Sequence, residues 1–226
     1  MEVAKILTKY FPSLAGALME TVKLSVLSLV FALILGVFFG LFRISKNKFL
    51  RGTASAYVEI IRGTPLMVQA FIIYYGIAQV LKPTGFSWAE IGGAFTAGTV
   101  TLSLNAGAFM AEIIRGGIEA VDIGQMEAAR SLGLSYTQSL RKVILPQAFR
   151  IMLPSIINQC ITSLKDTSIL SVIGIRELTM SGKILAGNST SLVMAIWIVI
   201  AMFYFVVCFA LSLGAKYLEV RLKYGK

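Results

Sequence analysis

Long apolar stretches separated by short polar segments dominate this sequence. Residues 22–42 form an almost uninterrupted apolar run, and further runs cover 66–82, about 91–114, about 151–173 and about 192–213. A helix of about 20 predominantly apolar residues crosses the hydrocarbon core of a bilayer, which is about 30 Å thick. The pattern therefore predicts an all-α polytopic membrane protein with five transmembrane helices.

Local signals refine the second and third spans. The second follows Pro65, and we expect a helix to begin there because the first turn of a helix does not use the N–H that proline lacks. Gly and Ala are frequent in the third span, which favours close helix contact inside a bundle over exposure to lipid. We expect this span to end at Arg115-Gly116-Gly117.

The two ends of the chain differ from the spans. Residues 1–21 contain Lys5, Lys9 and Glu20 and have no continuous apolar core. This composition predicts an amphipathic surface helix and argues against a cleaved signal peptide. A transmembrane domain over 22–213 and a basic tail over 214–226 complete the predicted organisation.

Composition excludes several kinds of chemistry. The chain has 226 residues, of which 57% are hydrophobic and 14% charged; it has no histidine and only two cysteines. A Ser-His-Asp triad, a histidine-rich metal site and a CxxC redox pair therefore cannot form. We predict no catalytic residue, no metal site and no cofactor in this chain.

The net charge of +10 has a topological explanation. Of the 21 lysines and arginines, 14 fall on one side of the predicted spans, six on the other and one, Lys165, within a span. Cytoplasmic loops carry the excess of basic residues. The N-terminus is thus predicted outside the cell and the C-terminus in the cytoplasm, and the charge does not require a nucleic-acid partner.

The longest cytoplasmic segment, 115–150, predicts two short helices. The first covers about 123–132 and ends at Gly133, which fits a left-handed cap. The second begins at Ser135, with a glutamine three residues later as in a capping box. We expect Pro146 to limit this second helix. A connection of this length is typical of a functional loop.

A spaced motif in this segment carries a family resemblance. Glu127-Ala128-Ala129 is followed by three residues, Gly133, nine residues and Val143-Ile144-Leu145-Pro146. This spacing resembles the EAA loop of permease subunits of bacterial ABC importers, with valine in place of the usual isoleucine at 143. The stretches similar to the polar amino-acid branch of that family are 57–69, 104–125 and 145–168.

The resemblance implies a type I importer (MetI-like) fold in a bacterial plasma membrane. It implies two permease subunits, identical or related, that form the pathway as a dimer and work by alternating access. It also implies cytoplasmic ATPase subunits that bind the EAA loop and an extracytoplasmic amino-acid-binding protein. The sequence has no G-x-x-x-x-G-K-[ST] phosphate loop, so ATP and magnesium would be bound by the partner ATPase.

Polar residues within or beside the spans are candidates for the substrate path. Ionisable groups at membrane depth are costly and face the bundle interior or a wet cavity. A carboxylate there suits the ammonium of an amino acid, and an amide suits its polar groups. The candidates are Asn105, Asn158, Asp166, Glu59 and Glu112. Alternatively, Lys165 and Asp166 only stabilise the bundle.

Two glycine motifs have structural interpretations. Gly63-Thr64-Pro65 fits a corner with an unusual backbone angle at the glycine. Gly36 and Gly40 form a G-x-x-x-G pair, which permits close helix contact, and a contact between subunits is one hypothesis.

Two other functions compete with the importer. An ATPase-independent secondary transporter or channel would also place polar groups in the membrane, although the chain shows no convincing internal repeat. A membrane-embedded enzyme would need histidine or clustered carboxylates, and the eleven acidic residues are scattered.

Overall fold

The computed structural model describes residues 2–224, and side chains from residue 2 to residue 217. Within these residues every regular element is helical. The α-helices are α1 (Glu2–Arg43), α2 (Lys48–Arg62), α3 (Leu66–Phe71), α4 (Ile77–Leu81), α5 (Gly93–Glu119), α6 (Ile123–Ser131), α7 (Tyr136–Ser139), α8 (Leu145–Asp166), α9 (Leu178–Asn188) and α10 (Val193–Tyr224). Two π-helical segments cover Ile72–Gly76 and Leu140–Ile144, and 3-10 segments cover Lys82–Thr84, Trp88–Ile91, Thr167–Ile173 and Thr190–Leu192.

The described residues include four stretches that are long and apolar enough to cross a membrane. They are Glu2–Arg43, Leu66–Thr84, Gly93–Glu119 and Thr190–Tyr217. The predicted fourth span corresponds to α8 and the 3-10 segment after it, which carry more polar residues. The helical membrane architecture is confirmed, whereas the total of five spans stays a prediction.

Helix α1 joins two predicted segments into one element. It is 42 residues long, about 63 Å at the rise of an α-helix, and passes through Pro12 without ending. The N-terminal segment is helical as expected, with one face exposed and the other packed against the protein. Ile6 and Leu14 are 2% and 1% exposed because they pack against α10, in a cluster that includes Val199.

The C-terminal helix also extends beyond its predicted span. Helix α10 continues through most of the predicted basic tail to Tyr224. The side chains of 218–226, including Arg221 and Lys223, lie outside the described residues.

Close contact between α1 and α5 forms the centre of the bundle. A Cβ at Gly40 would lie 3.0 Å from the Cβ of Ile114 and 3.1 Å from the carbonyl oxygen of Ala111. A Cβ at Gly36 would meet the Cβ of Met110 even more closely. The G-x-x-x-G pair thus serves a contact within one chain, which accounts for it without a second subunit.

The start of α9 is anchored by buried polar groups. Glu177 is 0% exposed, and its carboxylate accepts hydrogen bonds from the backbone N–H of Thr179 (2.8 Å) and Met180 (2.7 Å) and from the Tyr204 hydroxyl (2.8 Å). The hydroxyl of Thr21 on α1 accepts from the N–H of Leu178 at 3.1 Å. Burial raises the pKa of Glu177 above its usual range, while these hydrogen bonds lower it. The network ties α9 to both α1 and α10.

The cytoplasmic segment confirms most of its local signals. Helix α6 ends before Gly133, which has φ +85°, and Ser135 begins α7 with the expected capping box. Pro146 does not end the second helix, contrary to the prediction. It lies in the first turn of α8, where its missing N–H is tolerated, and the π-helical segment before it keeps the chain helical from α7 into α8.

The end of the third span also differs from its prediction. Helix α5 continues through Arg115-Gly116-Gly117 to Glu119. Gly117 remains helical, and a Cβ there would lie 2.8 Å from the Cβ of Met152 on α8. Its function is therefore close approach between α5 and α8.

We predict that Gly36→Leu destabilises the fold, because its side chain has no room between α1 and α5. Overpacking of this kind costs about 1–3 kcal/mol, which lowers the Tm of a chain of this size by about 2–12 °C. Thermal unfolding of the purified protein in detergent measures the change. Gly16→Leu in the same helix is the matched control, because no atom lies within 4 Å of a Cβ at Gly16. Equal Tm values for the two variants would contradict the prediction.

Candidate coupling and translocation site

The segment that carries the EAA motif presents part of that motif to solvent. Glu127 and Ala128 are exposed on α6, whereas Ala129 is 4% exposed and faces the protein. Two large apolar side chains at the two ends of α6 are exposed to solvent, Ile123 at 75% and Leu132 at 83%. We refer to residues 123–144 as the coupling segment. Its surface combines the acidic Glu127 and these two apolar side chains with three exposed basic residues, Arg130, Arg141 and Lys142.

The coupling segment rests on an apolar cluster that joins α5 to α8. Ile114 and Ile118 of α5 pack with Ile144, Ala148 and Met152, all of them 9% exposed or less. Two residues of the motif lie beside this cluster and differ in exposure: Leu145 is half-buried, and Pro146 is exposed. A shift of the coupling segment is therefore passed directly to the ends of both helices.

A second contact connects the coupling segment to the turn between α1 and α2. The ammonium of Lys46 lies 5.4 Å from the ring centroid of Tyr136 in α7. This is within the distance of a cation–π contact. The segment thus touches the ends of α1, α5 and α8.

Charges join three helices at the same end of the bundle. The carboxylate of Glu112 on α5 pairs with Arg43 at the end of α1, with Arg115, and with Arg62 of α2 at 3.7 Å. Arg115 also pairs with Glu119. Glu112 was a substrate-path candidate, but its partners give it a structural role in holding the helix ends together.

The substrate-path candidate Asn105 is buried and hydrogen-bonded to another side chain. It is 5% exposed, and its Nδ2 donates to Oε1 of Gln69 at 3.0 Å. The Nε2 of Gln69 donates to the carbonyl oxygens of Ile61 (2.7 Å) and Thr64 (3.0 Å). These carbonyls border the break before Pro65. Sequence reasoning missed Gln69, although its position in the first turn after a proline was a usable signal.

The corner at Gly63 differs in detail from its prediction. Gly63 has φ −83°, an ordinary backbone angle. A Cβ at this residue would lie 2.8 Å from the carbonyl oxygen of Glu59, so the requirement is for space. The structural interpretation of the corner is confirmed, while the expected unusual angle is wrong.

The remaining candidates lie on α8 and α2. On α8, Asn158 is exposed, Asp166 is half-buried, and Gln159 donates to the Ser163 hydroxyl at 3.3 Å. Glu59 is exposed on α2. The structure places Asn158 and Asp166 on one helix, but no hydrogen bond among the described residues joins either of them to Asn105 or Glu59. The candidates do not form a single cluster within this chain.

Comparison with known proteins identifies the family that this sequence matches. The family described as binding-protein-dependent transport system inner membrane component matches residues 7–224. The glutamine transport system permease protein of Escherichia coli (strain K12) is 41% identical over 213 residues, which cover 94% of each protein. A crystal structure of an amino acid ABC transporter with histidines contains a chain 40% identical to this one, with a TM-score of 0.86 over 95% of this chain and 96% of that chain.

A more distant structure tests the fold alone. The inward-facing MetNI methionine ABC transporter aligns with a TM-score of 0.72 at 18% identity, over 92% of this chain and 95% of that chain. The predicted all-α, MetI-like importer fold is confirmed. An ATPase-independent transporter or channel is not favoured. The chain belongs to the family of binding-protein-dependent transport system inner membrane components.

Proposed function

We propose that this chain is the permease subunit of an ATP-driven amino-acid importer in a bacterial plasma membrane. The observation that carries the proposal is the family spacing from Glu127 to Pro146, which begins in the exposed coupling segment and ends in the first turn of α8. The names of the similar proteins, which mention glutamine and histidine, support an amino acid as substrate. Because these two amino acids differ in their side chains, the proposal specifies polar amino acids as a class.

The partners follow from the surfaces of the chain. A cytoplasmic ATPase subunit binds the coupling segment through Glu127, Ala128 and Leu132. A second permease subunit completes the pathway, and an extracytoplasmic binding protein delivers the substrate. The coupling segment and the arginines around Glu112 lie on the cytoplasmic side, which agrees with the excess of basic residues there. The N-terminus then lies outside and the C-terminus inside.

In this mechanism, helix α8 transmits the displacement of the coupling segment to the substrate path. The chain is helical from Tyr136 to Asp166 through a π-helical segment, so the second part of the coupling segment, 136–144, and Asp166 lie on one continuous helical element. Helix α8 alone is about 33 Å long. When the two ATPase subunits close, the coupling segments move, and α8 shifts as a rigid body against α5 at the contact between Gly117 and Met152. Rigid-body shifts of this kind alternate the opening of a pathway.

The chain itself performs no covalent chemistry in this proposal. Its polar side chains bind and release the amino acid, and ATP with magnesium is bound and hydrolysed by the partner. Asp166 accepts the ammonium of the substrate, and Asn158 lies about 12 Å away along the same helix. Asn105 supports the path indirectly, because it holds Gln69 in place and Gln69 in turn fixes the corner at Pro65.

Reconstitution tests this function. The tagged chain is purified in mild detergent with every subunit that accompanies it, placed in proteoliposomes and assayed for uptake of L-glutamine and L-histidine with the binding protein present. We expect an ATPase to co-purify and uptake to require ATP. Uptake without nucleotide would contradict the importer and favour a secondary transporter or channel.

We predict that Leu132→Asp weakens binding of the ATPase, because a carboxylate replaces an exposed apolar side chain on the docking surface. The ATPase-to-permease ratio after affinity purification is expected to fall several-fold, while the Tm of the permease stays unchanged. Thr53→Asp, which adds the same charge at an exposed position of α2 outside the coupling segment, is the matched control. The docking assignment is wrong if the two variants retain equal amounts of ATPase.

We predict that Asp166→Asn abolishes most ATP-driven uptake, because the amide cannot neutralise the substrate ammonium. Co-purification of the ATPase and basal ATP hydrolysis should remain near wild-type levels. Glu90→Gln is the control, since Glu90 is an exposed acid outside the predicted path. If Asp166→Asn takes up substrate at the wild-type rate, the Asp166 carboxylate is not part of the substrate path.

A further inference from the structure

An apolar groove runs along one side of the contact between α1 and α5 and has a volume of about 450 Å³. A second groove, of about 520 Å³, shares two of its lining residues and continues to Lys23. We refer to the two together as the α1–α5 groove. Its walls come from the middle of α1 and the first half of α5 and include Leu27, Phe31, Ile34, Phe95, Thr99 and Val100.

The α1–α5 groove lies at the depth of one membrane leaflet. Lys23 and Arg43 of α1 are 20 residues apart, about 30 Å at the rise of an α-helix, and no charged residue lies between them. This distance equals the thickness of the hydrocarbon core, so the two cations mark its two surfaces. From Lys23 the groove extends to Leu35, about 18 Å along the helix. Because Arg43 lies at the coupling end of the bundle, the groove occupies the opposite leaflet.

The hydroxyl groups in the groove wall are already hydrogen-bonded. Thr96, Thr99 and Ser103 each donate to a backbone carbonyl oxygen, at 2.6, 2.9 and 2.6 Å. Apart from Lys23 at one end, the other lining side chains are apolar. The groove therefore suits an apolar chain rather than an amino acid, whose two charges need hydrogen-bond partners.

A charged pair lies at the membrane-surface end of the groove. The ammonium of Lys23 donates to the carboxylate of Glu20 at 2.8 Å, and both side chains are accessible. An ammonium has three N–H donors, so Lys23 can bind a phosphate oxygen while it keeps Glu20. Hydrogen bonds between charged partners of this kind are strong. A phospholipid has the same arrangement, with a phosphate at the surface end of its acyl chains.

We propose that the α1–α5 groove binds one phospholipid of the leaflet opposite the coupling segment. One acyl chain lies along Phe31, Ile34 and Val100, and the Lys23 ammonium binds the phosphate. In the orientation proposed above, this leaflet is the outer one. The inference depends on the position of α1 in a membrane and not on transport of an amino acid, so it goes beyond the proposed function.

Native mass spectrometry tests the site. The full-length chain, with the subunits that co-purify, is reconstituted in nanodiscs of palmitoyl-oleoyl phosphatidylethanolamine and transferred to detergent, and the phospholipids retained per permease chain are counted. We expect the wild type to retain one. Ile34→Trp, which fills the groove, should reduce retention about fivefold or more. Leu33→Trp is the matched control, because Leu33 is an exposed neighbour on α1 that does not line the groove. Equal retention by the two variants would overturn the inference.

Substitutions at the charged pair test the phosphate contact separately. Lys23→Gln should lower retention several-fold, whereas Lys5→Gln, at an exposed lysine of the same helix, should not. Glu20→Gln leaves the charge of Lys23 uncompensated, so in mixed nanodiscs it should shift retention from phosphatidylethanolamine toward the anionic phosphatidylglycerol. Equal retention by Lys23→Gln and Lys5→Gln, or an unchanged lipid preference in Glu20→Gln, would contradict the role of Lys23.

Photo-cross-linking distinguishes a phospholipid from a second copy of this chain as the occupant. Ile34 is replaced by p-benzoylphenylalanine, and the assembled protein is irradiated in its native membrane. We expect an adduct with the mass of a phospholipid. A cross-link to the second permease chain would show that a subunit contact covers the groove, and it would overturn the inference.

Discussion

A backbone polar group that is buried away from water must find its hydrogen bond inside the protein, and this constraint shapes two breaks in the helical bundle. Gln69 supplies donors to the carbonyls that the break before Pro65 leaves free. Glu177 and Thr21 supply acceptors to the first amides of α9. Each of these side chains also contacts, or comes from, another helix. The groups that repair the backbone are therefore the groups that fix the relative positions of the helices.

Glycines bring α5 into close contact with two neighbouring helices. Gly36 and Gly40 bring α1 against α5 with no space for added atoms. Gly117 brings α8 equally close to α5 near the coupling segment, beside an apolar cluster that includes Met152. Apolar contacts are not directional, and helices packed in this way can slide against each other. The coupling segment is thus placed where a small displacement changes the position of α8.

Periodicity and short-range signals predicted most of the helices, because span length, caps and proline positions depend on neighbouring residues. The capping box at Ser135 and the left-handed Gly133 are examples. Contacts between distant residues could not be predicted. A single sequence does not state that Asn105 meets Gln69, or that three arginines surround Glu112, so both residues were named as path candidates from residue type and predicted position alone. The prediction for Pro146 was wrong for a related reason. Proline breaks the interior of a helix but is tolerated in its first turn. The π-helical segment before Leu145 places Pro146 in the first turn of α8, and the sequence alone did not reveal that segment.

The same residue types acquire different functions according to which helix face they occupy. Asn105 and Glu112 lie on α5, most of which is surrounded by protein, so their polar groups are satisfied internally. Asn158 and Lys165 lie on the open face of α8, where the described chain offers no cover. Because hydrocarbon does not solvate an amide or an ammonium, that face requires water, a ligand or a second subunit. The polar face of α8 is therefore the part of this chain that hydrocarbon alone cannot satisfy.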